Sequence, residues 1–163
     1  MKYNEISDFI EETHVKIEEV LDGDTIKVKQ EFGQISKEIR LYGLDAPEVR
    51  INRKMLEDEA KSHIPSSMLL QYGLMSLDFV LQVAPIGTRV TLLTERKHQL
   101  DFWKRQLAYV ILPNGLCLNE ELIKNGYAKA SNNYYCQLLP KYQALNLQAK
   151  QQKQGIYQFT DVF

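Results

Sequence analysis

Cysteine is scarce in this chain, and neither sign of charge is in surplus. Only Cys117 and Cys136 occur among 163 residues. They lack the paired spacing of a zinc or iron–sulfur site, and just three histidines accompany them, so a soft-metal centre is not indicated. Cys117, between Leu116 and Leu118, reads as a small apolar residue, with a Cys117–Cys136 disulfide as the alternative. The net charge is -1 and the pI about 6.3, which argues against a protein that coats nucleic acid by bulk electrostatics but leaves a local positive site open. No long hydrophobic run is present. The most apolar stretch, residues 65–84, is interrupted by Ser66, Ser67, Gln71, Gly73 and Asp78, so it reads as globular structure and not as a membrane span. Glu5, Asp8, Glu11 and Glu12 stand where a secretory signal needs apolar residues, and a cytoplasmic location is expected unless a leader precedes them. What is present, 44% hydrophobic and 25% charged residues, suits one domain with a single core.

Residues 1–13 are polar and acidic and read as an N-terminal arm or short helix; residues 14–163 read as one domain. From His14 the apolar pattern has period two: Val15 and Ile17, then Ile26 and Val28, then Ile39 and Leu41. Such alternation of β-branched residues predicts half-buried strands. Asp22-Gly23 predicts a hairpin turn, glycine supplying the positive φ that such turns require, and Gly33-Gln34 turns the second strand into a third. The charged segment from Arg50 to Ser67 breaks the pattern and reads as mobile or as a local insertion. Leu74, Leu77, Val80 and Leu81 follow at helical spacing until Pro85 and Gly87. Val90 and Leu92 mark a fourth strand, and Leu107, Tyr109 and Ile111 a fifth. Asn119 is expected to cap a short helix that ends at Gly126. A last helix has Pro140 in its first turn, with Leu138, Tyr142, Leu145 and Ala149 as its apolar face. The fold class is therefore α+β: a five-stranded barrel of the oligonucleotide/oligosaccharide-binding (OB) type with three helices.

Chemistry concentrates at two carboxylate clusters and two arginines. Asp24 follows the hairpin glycine, and Asp45 closes the third strand. In a meander the start of the second strand and the end of the third lie at one end of the sheet, where the two carboxylates converge. With backbone carbonyl oxygens and water, such a set suits Ca²⁺ or Mg²⁺, and no His or Cys is at hand to favour zinc. Glu48 is held beyond Asp45 by the stiff Pro47 and is placed to accept a proton from a nearby water. Arg40 and Arg105 supply forks for phosphate oxygens, with an Asp101–Arg105 salt bridge as the plain alternative for the latter. Trp103 and the pair Tyr134-Tyr135 are candidates to stack on bases, with ordinary packing as the alternative. His63 and His98 have no evident partner.

These residues, in this order, resemble the staphylococcal (micrococcal) nuclease family of thermonuclease type. The resemblance runs from about Lys16 to Tyr157. It rests on Val20-Leu21-Asp22-Gly23-Asp24-Thr25, on Arg40-Leu41-Tyr42-Gly43-Leu44-Asp45-Ala46-Pro47-Glu48, and on Tyr72-Gly73 opening the first major helix. Asp101-Phe102-Trp103-Lys104-Arg105-Gln106-Leu107-Ala108-Tyr109-Val110 and Leu118-Asn119-Glu120-Glu121-Leu122-Ile123, with Gly126-Tyr127-Ala128, complete it. The resemblance implies Ca²⁺-dependent cleavage of DNA and RNA, with Ca²⁺ ahead of Mg²⁺. It makes Asp24, Asp45 and the Ala46 carbonyl the metal ligands, Asp22 an outer carboxylate and Glu48 the general base. Arg40 and Arg105 would bind the scissile phosphate, with Trp103 near the nucleotide. A monomer acting on single-stranded DNA or RNA, without a membrane, is expected.

Three departures stand out. Trp103-Lys104 replaces the family's Tyr-Gly, which is expected to shift the loop presenting Arg105. The segment after Glu48 is longer than in compact members. The tyrosine near the nucleotide's 5′ end has no direct match, and Tyr134 or Tyr135 would substitute. The rival expectation is a non-catalytic OB module that binds nucleic acid or protein. A degenerate module would have lost several of Asp24, Arg40, Asp45, Glu48 and Arg105; all five are present.

Overall fold

The computed structural model describes residues 8–133 and 135–163. Its centre is a closed barrel of five strands: β1 (Phe9–Asp22), β2 (Thr25–Gln30), β3 (Ser36–Leu41), β5 (Arg89–Glu95) and β6 (Gln106–Ile111). Around the barrel they run β1-β2-β3-β6-β5 and back to β1, which is the OB arrangement. The alternating residues read from sequence line the interior: Val15, Ile17, Ile26, Val28, Ile39, Leu41, Val90, Leu92, Leu107 and Tyr109 are all buried. Each such side chain contributes on the order of 1.5–3 kcal/mol by leaving water.

β1 is long because it serves two partners. Its first part pairs with β5, from Phe9 opposite Glu95 to Lys16 opposite Arg89. Its second part pairs with β2, from Val15 opposite Gln30 to Asp22 opposite Thr25. The strand turns between them at an irregularity where His14 takes φ 60°, the local extra twist that bulges provide. Residues 9–13 are therefore strand, and the expected arm or short helix does not extend to residue 13. β3 and β6 close the barrel in parallel, with Arg40 opposite Leu107. That pairing brings Arg40 and Arg105, distant in sequence, to the same end.

Among the described residues four α-helices surround the barrel, one more than expected: α1 (Arg53–Ser62), α2 (Ser66–Val83), α3 (Leu118–Lys124) and α4 (Leu139–Gln151). The additional helix, α1, lies in the charged segment from Arg50 to Ser67, which is a local helical insertion. Asn52 starts it by accepting the Met55 N–H on its side chain at 2.9 Å, an N-cap that satisfies one of the orphan amides of the first turn. Met55 is its one buried residue, and His63 ends it in the left-handed region. After Pro65 the chain bends by 110° into α2. That helix starts eight residues before Leu74 and buries Leu69, Tyr72, Gly73, Ser76 and Val80, while Leu74 is exposed. Among the described residues no single helix is long and apolar enough to cross a membrane.

Asn119 does not cap α3. Cys117 occupies that position, and Asn119 lies inside the first turn. Its Oδ1 accepts the Val110 N–H at 3.0 Å, while its Nδ2 donates to the carbonyls of Tyr42 at 3.1 Å and Ala108 at 3.2 Å. A sequence reading favours the cap because asparagine competes so well for helix termini; here the side chain serves the sheet instead. Both cysteines are free thiols. Two short strands, β4 (Leu44–Asp45) and β7 (Lys129–Ala130), pair with Asp45 opposite Lys129, and so fix the backbone of Asp45 against the start of the C-terminal region.

Candidate active site

The two aspartates converge. Thr25 and Arg40 are register partners, and the Leu41 N–H donates to the Asp24 carbonyl at 2.9 Å. The start of β2 is thereby stitched to the end of β3. Asp24 Oδ2 accepts the Ala46 N–H at 2.9 Å, and Oδ1 accepts the Thr25 hydroxyl at 3.0 Å. Arg40 Nη2 stands 3.4 Å from both Asp24 Oδ2 and Asp45 Oδ1, so one guanidinium nitrogen spans the two carboxylates. All three side chains are almost fully buried. Asp22 turns back to accept the Asp24 N–H on Oδ1 at 2.9 Å.

Gly23 has a different reason from the one the hairpin pattern suggests. It is absent from the positive-φ residues. A Cβ there would instead meet the Cβ atoms of Ala46 and Ser76, each at 2.7 Å. The glycine admits the Ala46 turn and helix α2 to within contact of the hairpin. Gly73 does the same from the other side, since a Cβ on it would overlap the Glu48 carbonyl oxygen. Helix α2 can thus lie directly on the Pro47-Glu48 backbone and hold the Glu48 turn in place.

Both Glu48 oxygens are engaged. Oε2 accepts from Asn52 Nδ2 at 2.9 Å and Oε1 from Lys54 Nζ at 2.9 Å. Asn52 therefore caps α1 with one end of its amide and orients Glu48 with the other. Lys54 Nζ also donates to Asp45 Oδ1 at 2.7 Å and lies 3.5 Å from the Ala46 carbonyl oxygen.

Arg105 enters from the opposite wall. Asp101, buried, accepts the Trp103 and Arg105 N–H groups on Oδ1 at 2.9 and 2.8 Å, and Arg105 Nε on Oδ2 at 2.7 Å. The Asp101–Arg105 salt bridge, the plain alternative for this arginine, is present, and it orients Arg105 while Nη1 reaches within 3.5 Å of the Thr25 hydroxyl. Lys104 sits in the left-handed region at φ 63°. It adopts the conformation in which glycine would be at ease, at a local strain of about 1 kcal/mol. Asp22, Asp24, Arg40, Asp45, Glu48, Trp103 and Arg105 line one pocket, together with Thr25, Asn52, Lys54 and Asn133. Trp103 is 72% exposed, and no core packing explains it. Tyr135 is not in the pocket lining; it is exposed and its ring lies 4.8 Å from that of His98. Tyr134 lies outside the described residues.

The site is acid-heavy. Burial, and then the neighbouring Asp24 charge, push the Asp22 carboxyl up to about 8. Burial works on Asp24 too, but the Arg40 guanidinium and the hydrogen bonds it accepts outweigh this and hold its carboxyl well below the ordinary range. Asp45 is raised by burial and by Asp24, with Lys54 and Arg40 offsetting only part of the effect. Burial alone would lower Lys54, yet Asp45, Asp24 and Glu48 together raise it. Among the described residues no three His, Cys, Asp or Glu side chains form a ready-made metal cage. The donors nonetheless fit a hard divalent cation. They are carboxylate and carbonyl oxygens, and an ammonium already stands among those of Asp45, Ala46 and Glu48.

Sequence reasoning sees Lys54 only as one of the local basic residues, with Arg50 and Arg53, that follow the acidic motif, and it misses Asn52, Thr25 and the contact role of Gly73. Asn52 carried a readable signal as a capping residue three positions before Met55. Lys54 carried none, because Arg50 and Arg53 beside it are chemically similar and only the docking of α1 distinguishes them.

Three relatives bear on identity. A protein of Methanocaldococcus jannaschii described as uncharacterised is 26% identical over 168 residues, covering 98% of this chain and 80% of its own. Endonuclease YhcR of Bacillus subtilis is 30% identical over 151 residues, covering 89% of this chain but 11% of that much longer protein. An uncharacterised endonuclease of Escherichia coli O157:H7 is 28% identical over 148 residues, with 91% and 79% covered. The family model described as staphylococcal nuclease homologue matches residues 38–158, from β3 through the end of the last helical turn. With that match over residues 38–158, which take in most of β3, all of β5 and β6 and all four helices, the chain belongs to the staphylococcal nuclease homologue family.

Proposed function

We propose that this protein is a metal-dependent nuclease that hydrolyses phosphodiester bonds of DNA and RNA, with Ca²⁺ as the cofactor and single strands preferred. The observation that carries the reading is the pairing of Asp24 and Asp45 across one Arg40 nitrogen, with Glu48 and Arg105 on the same pocket. A cation held by Asp24, Asp45 and the Ala46 carbonyl would supply charge neutralisation at the phosphate. The chain's own groups do the rest. Glu48, oriented by Asn52, accepts a proton from a water as the water oxygen bonds to phosphorus. The ester P–O bond breaks, and the departing oxygen takes a proton from solvent. Arg40 and Arg105 hold the nonbridging oxygens, whose charge grows as the bond forms, and their fixed geometry means little reorganisation is needed at that moment. The exposed Trp103 offers a stacking face to an unpaired base, which is why single strands are favoured.

The experiment is turnover of single-stranded DNA and RNA in Ca²⁺, in Mg²⁺ and after chelation. Cleavage in Ca²⁺ that chelation abolishes is expected, and Glu48→Gln should lower it by about 10²–10⁴-fold. Binding without cleavage in any divalent ion would turn the assignment into a binding module. Undiminished turnover by Glu48→Gln would remove that residue from the proton transfer.

A further inference from the structure

We propose that Lys54 is a tethered cation that occupies the divalent-ion position while the metal is absent, and that ion binding displaces it together with the first turn of α1. The inference rests on the metal-dependent reading above and adds a determinant of metal affinity to it.

Three observations carry it. First, Lys54 Nζ contacts Asp45 Oδ1 at 2.7 Å, Glu48 Oε1 at 2.9 Å and the Ala46 carbonyl oxygen at 3.5 Å. Those oxygens are the ones a divalent ion between Asp45 and Ala46 would face. Ca²⁺ sits about 2.3–2.6 Å from its ligands, so ammonium and ion cannot share the place. Second, the charges balance poorly without a cation there. Asp22, Asp24, Asp45 and Glu48 line the pocket against Arg40, Arg105 and Lys54, and Arg105 is already committed to Asp101. Lys54 thus holds together a cluster that would otherwise repel itself. Third, the element carrying Lys54 is lightly anchored. Met55 is the only buried residue of α1, Leu56 and Ile51 are exposed, and the helix hangs on a 110° bend at its far end. Swinging its first turn outward exposes one fully buried apolar side chain, Met55, and that cost is set against the replacement of one positive charge by two.

The same movement would release Glu48. Its Oε1 is tied to Lys54, so that oxygen does not face a water while the contact stands. Metal arrival would therefore both fill the site and free the oxygen that handles water, which couples cofactor occupancy to competence without any second ligand.

The test is calorimetric Ca²⁺ titration of the full chain beside Lys54→Gln and Lys54→Met, with hydrogen exchange of residues 53–62 measured with and without Ca²⁺. Two substitutions guard against a packing effect, since the second retains the stem and drops only the charge. Both variants are expected to bind Ca²⁺ at least about tenfold more tightly than the wild type, a gain of about 1.4 kcal/mol. Wild-type α1 is expected to lose exchange protection when Ca²⁺ binds, whereas the variants, already without the tether, change little. Equal or weaker affinity in the variants overturns the proposal and leaves the metal site standing. Tighter binding with unchanged α1 protection in the wild type overturns the displacement, because removing a nearby charge would then suffice. No Ca²⁺ binding by any of the three proteins overturns this inference and the metal-dependent reading together.

Discussion

Two buried polar clusters meet strands β3 and β6, and they are built on opposite plans. Around Asn119 every hydrogen-bonding group is neutral and used: one acceptor and two donors tie Val110, Tyr42 and Ala108 into a closed set. Around Arg40 the groups are charged, acids outnumber the cations committed to them, and the carboxyl of Asp22 is driven up to about 8 by burial and its neighbours. The first cluster asks for nothing more. In the second the acids remain in excess, a demand that the proposed cation would meet. Burial of polar groups is thus no guide to function by itself; the difference lies in whether their demands are met from within the fold.

The widest separation between the clusters should appear in turnover. Arg105→Lys retains a charge that can reach Asp101 but loses the planar fork that presents two nitrogens to one phosphate. Turnover is expected to fall about 10²–10³-fold while thermal stability changes little. An equal loss of stability and activity would mean that Arg105 is structural, like Asn119.

The complementary substitution is Asn119→Ala. It leaves the Val110 N–H and the Tyr42 carbonyl buried without their Asn119 partner, while the Ala108 carbonyl keeps the Tyr42 N–H at 3.1 Å, at a cost of about 3 kcal/mol in unfolding free energy. Denaturant melts would measure that loss. The folded fraction should retain full turnover per molecule, since no atom of Asn119 lines the pocket. A fall in turnover beyond the unfolded fraction would show that the two clusters are coupled through β3.

How far each cluster was legible in the sequence follows from the same contrast. The barrel could be read because β-branched alternation at Val15, Ile17, Ile26 and Val28 is a local pattern that the closed sheet obeys. The acids and arginines could be read because their ordered spacing has few other uses. Lys54 and Asn119 could not. Each acts through partners far along the chain or through the docking of a whole helix, and a lysine in a basic stretch or an asparagine near a helix start suggests something more ordinary. Gly23 shows a third case, a correct expectation of a turn with the wrong cause: crowding by Ala46 and Ser76 requires the glycine, not its φ.

Glu95 tests whether the neutral plan tolerates a charge. It lies buried at the end of β5, with Oε1 accepting the Gln137 N–H at 2.7 Å and Oε2 without a partner among the described residues. Burial raises its pKa above the ordinary 4.5, and the Gln137 bond offsets only part of this. A raised native pKa means that the folded chain keeps a proton which the unfolded chain gives up. The associated stability is fully present below about pH 4.5 and is lost as the pH climbs from there through the raised native value. Glu95→Gln keeps the acceptor and abolishes the titration. Its melting temperature should equal that of the wild type near pH 4 and exceed it by a few degrees at pH 8, with the gap opening between. A constant gap at every pH would mean that shape, not charge, sets the difference. A gap that closes toward high pH would reverse the sign and place Glu95 among the groups that the fold prefers ionised, which would align it with the Arg40 cluster.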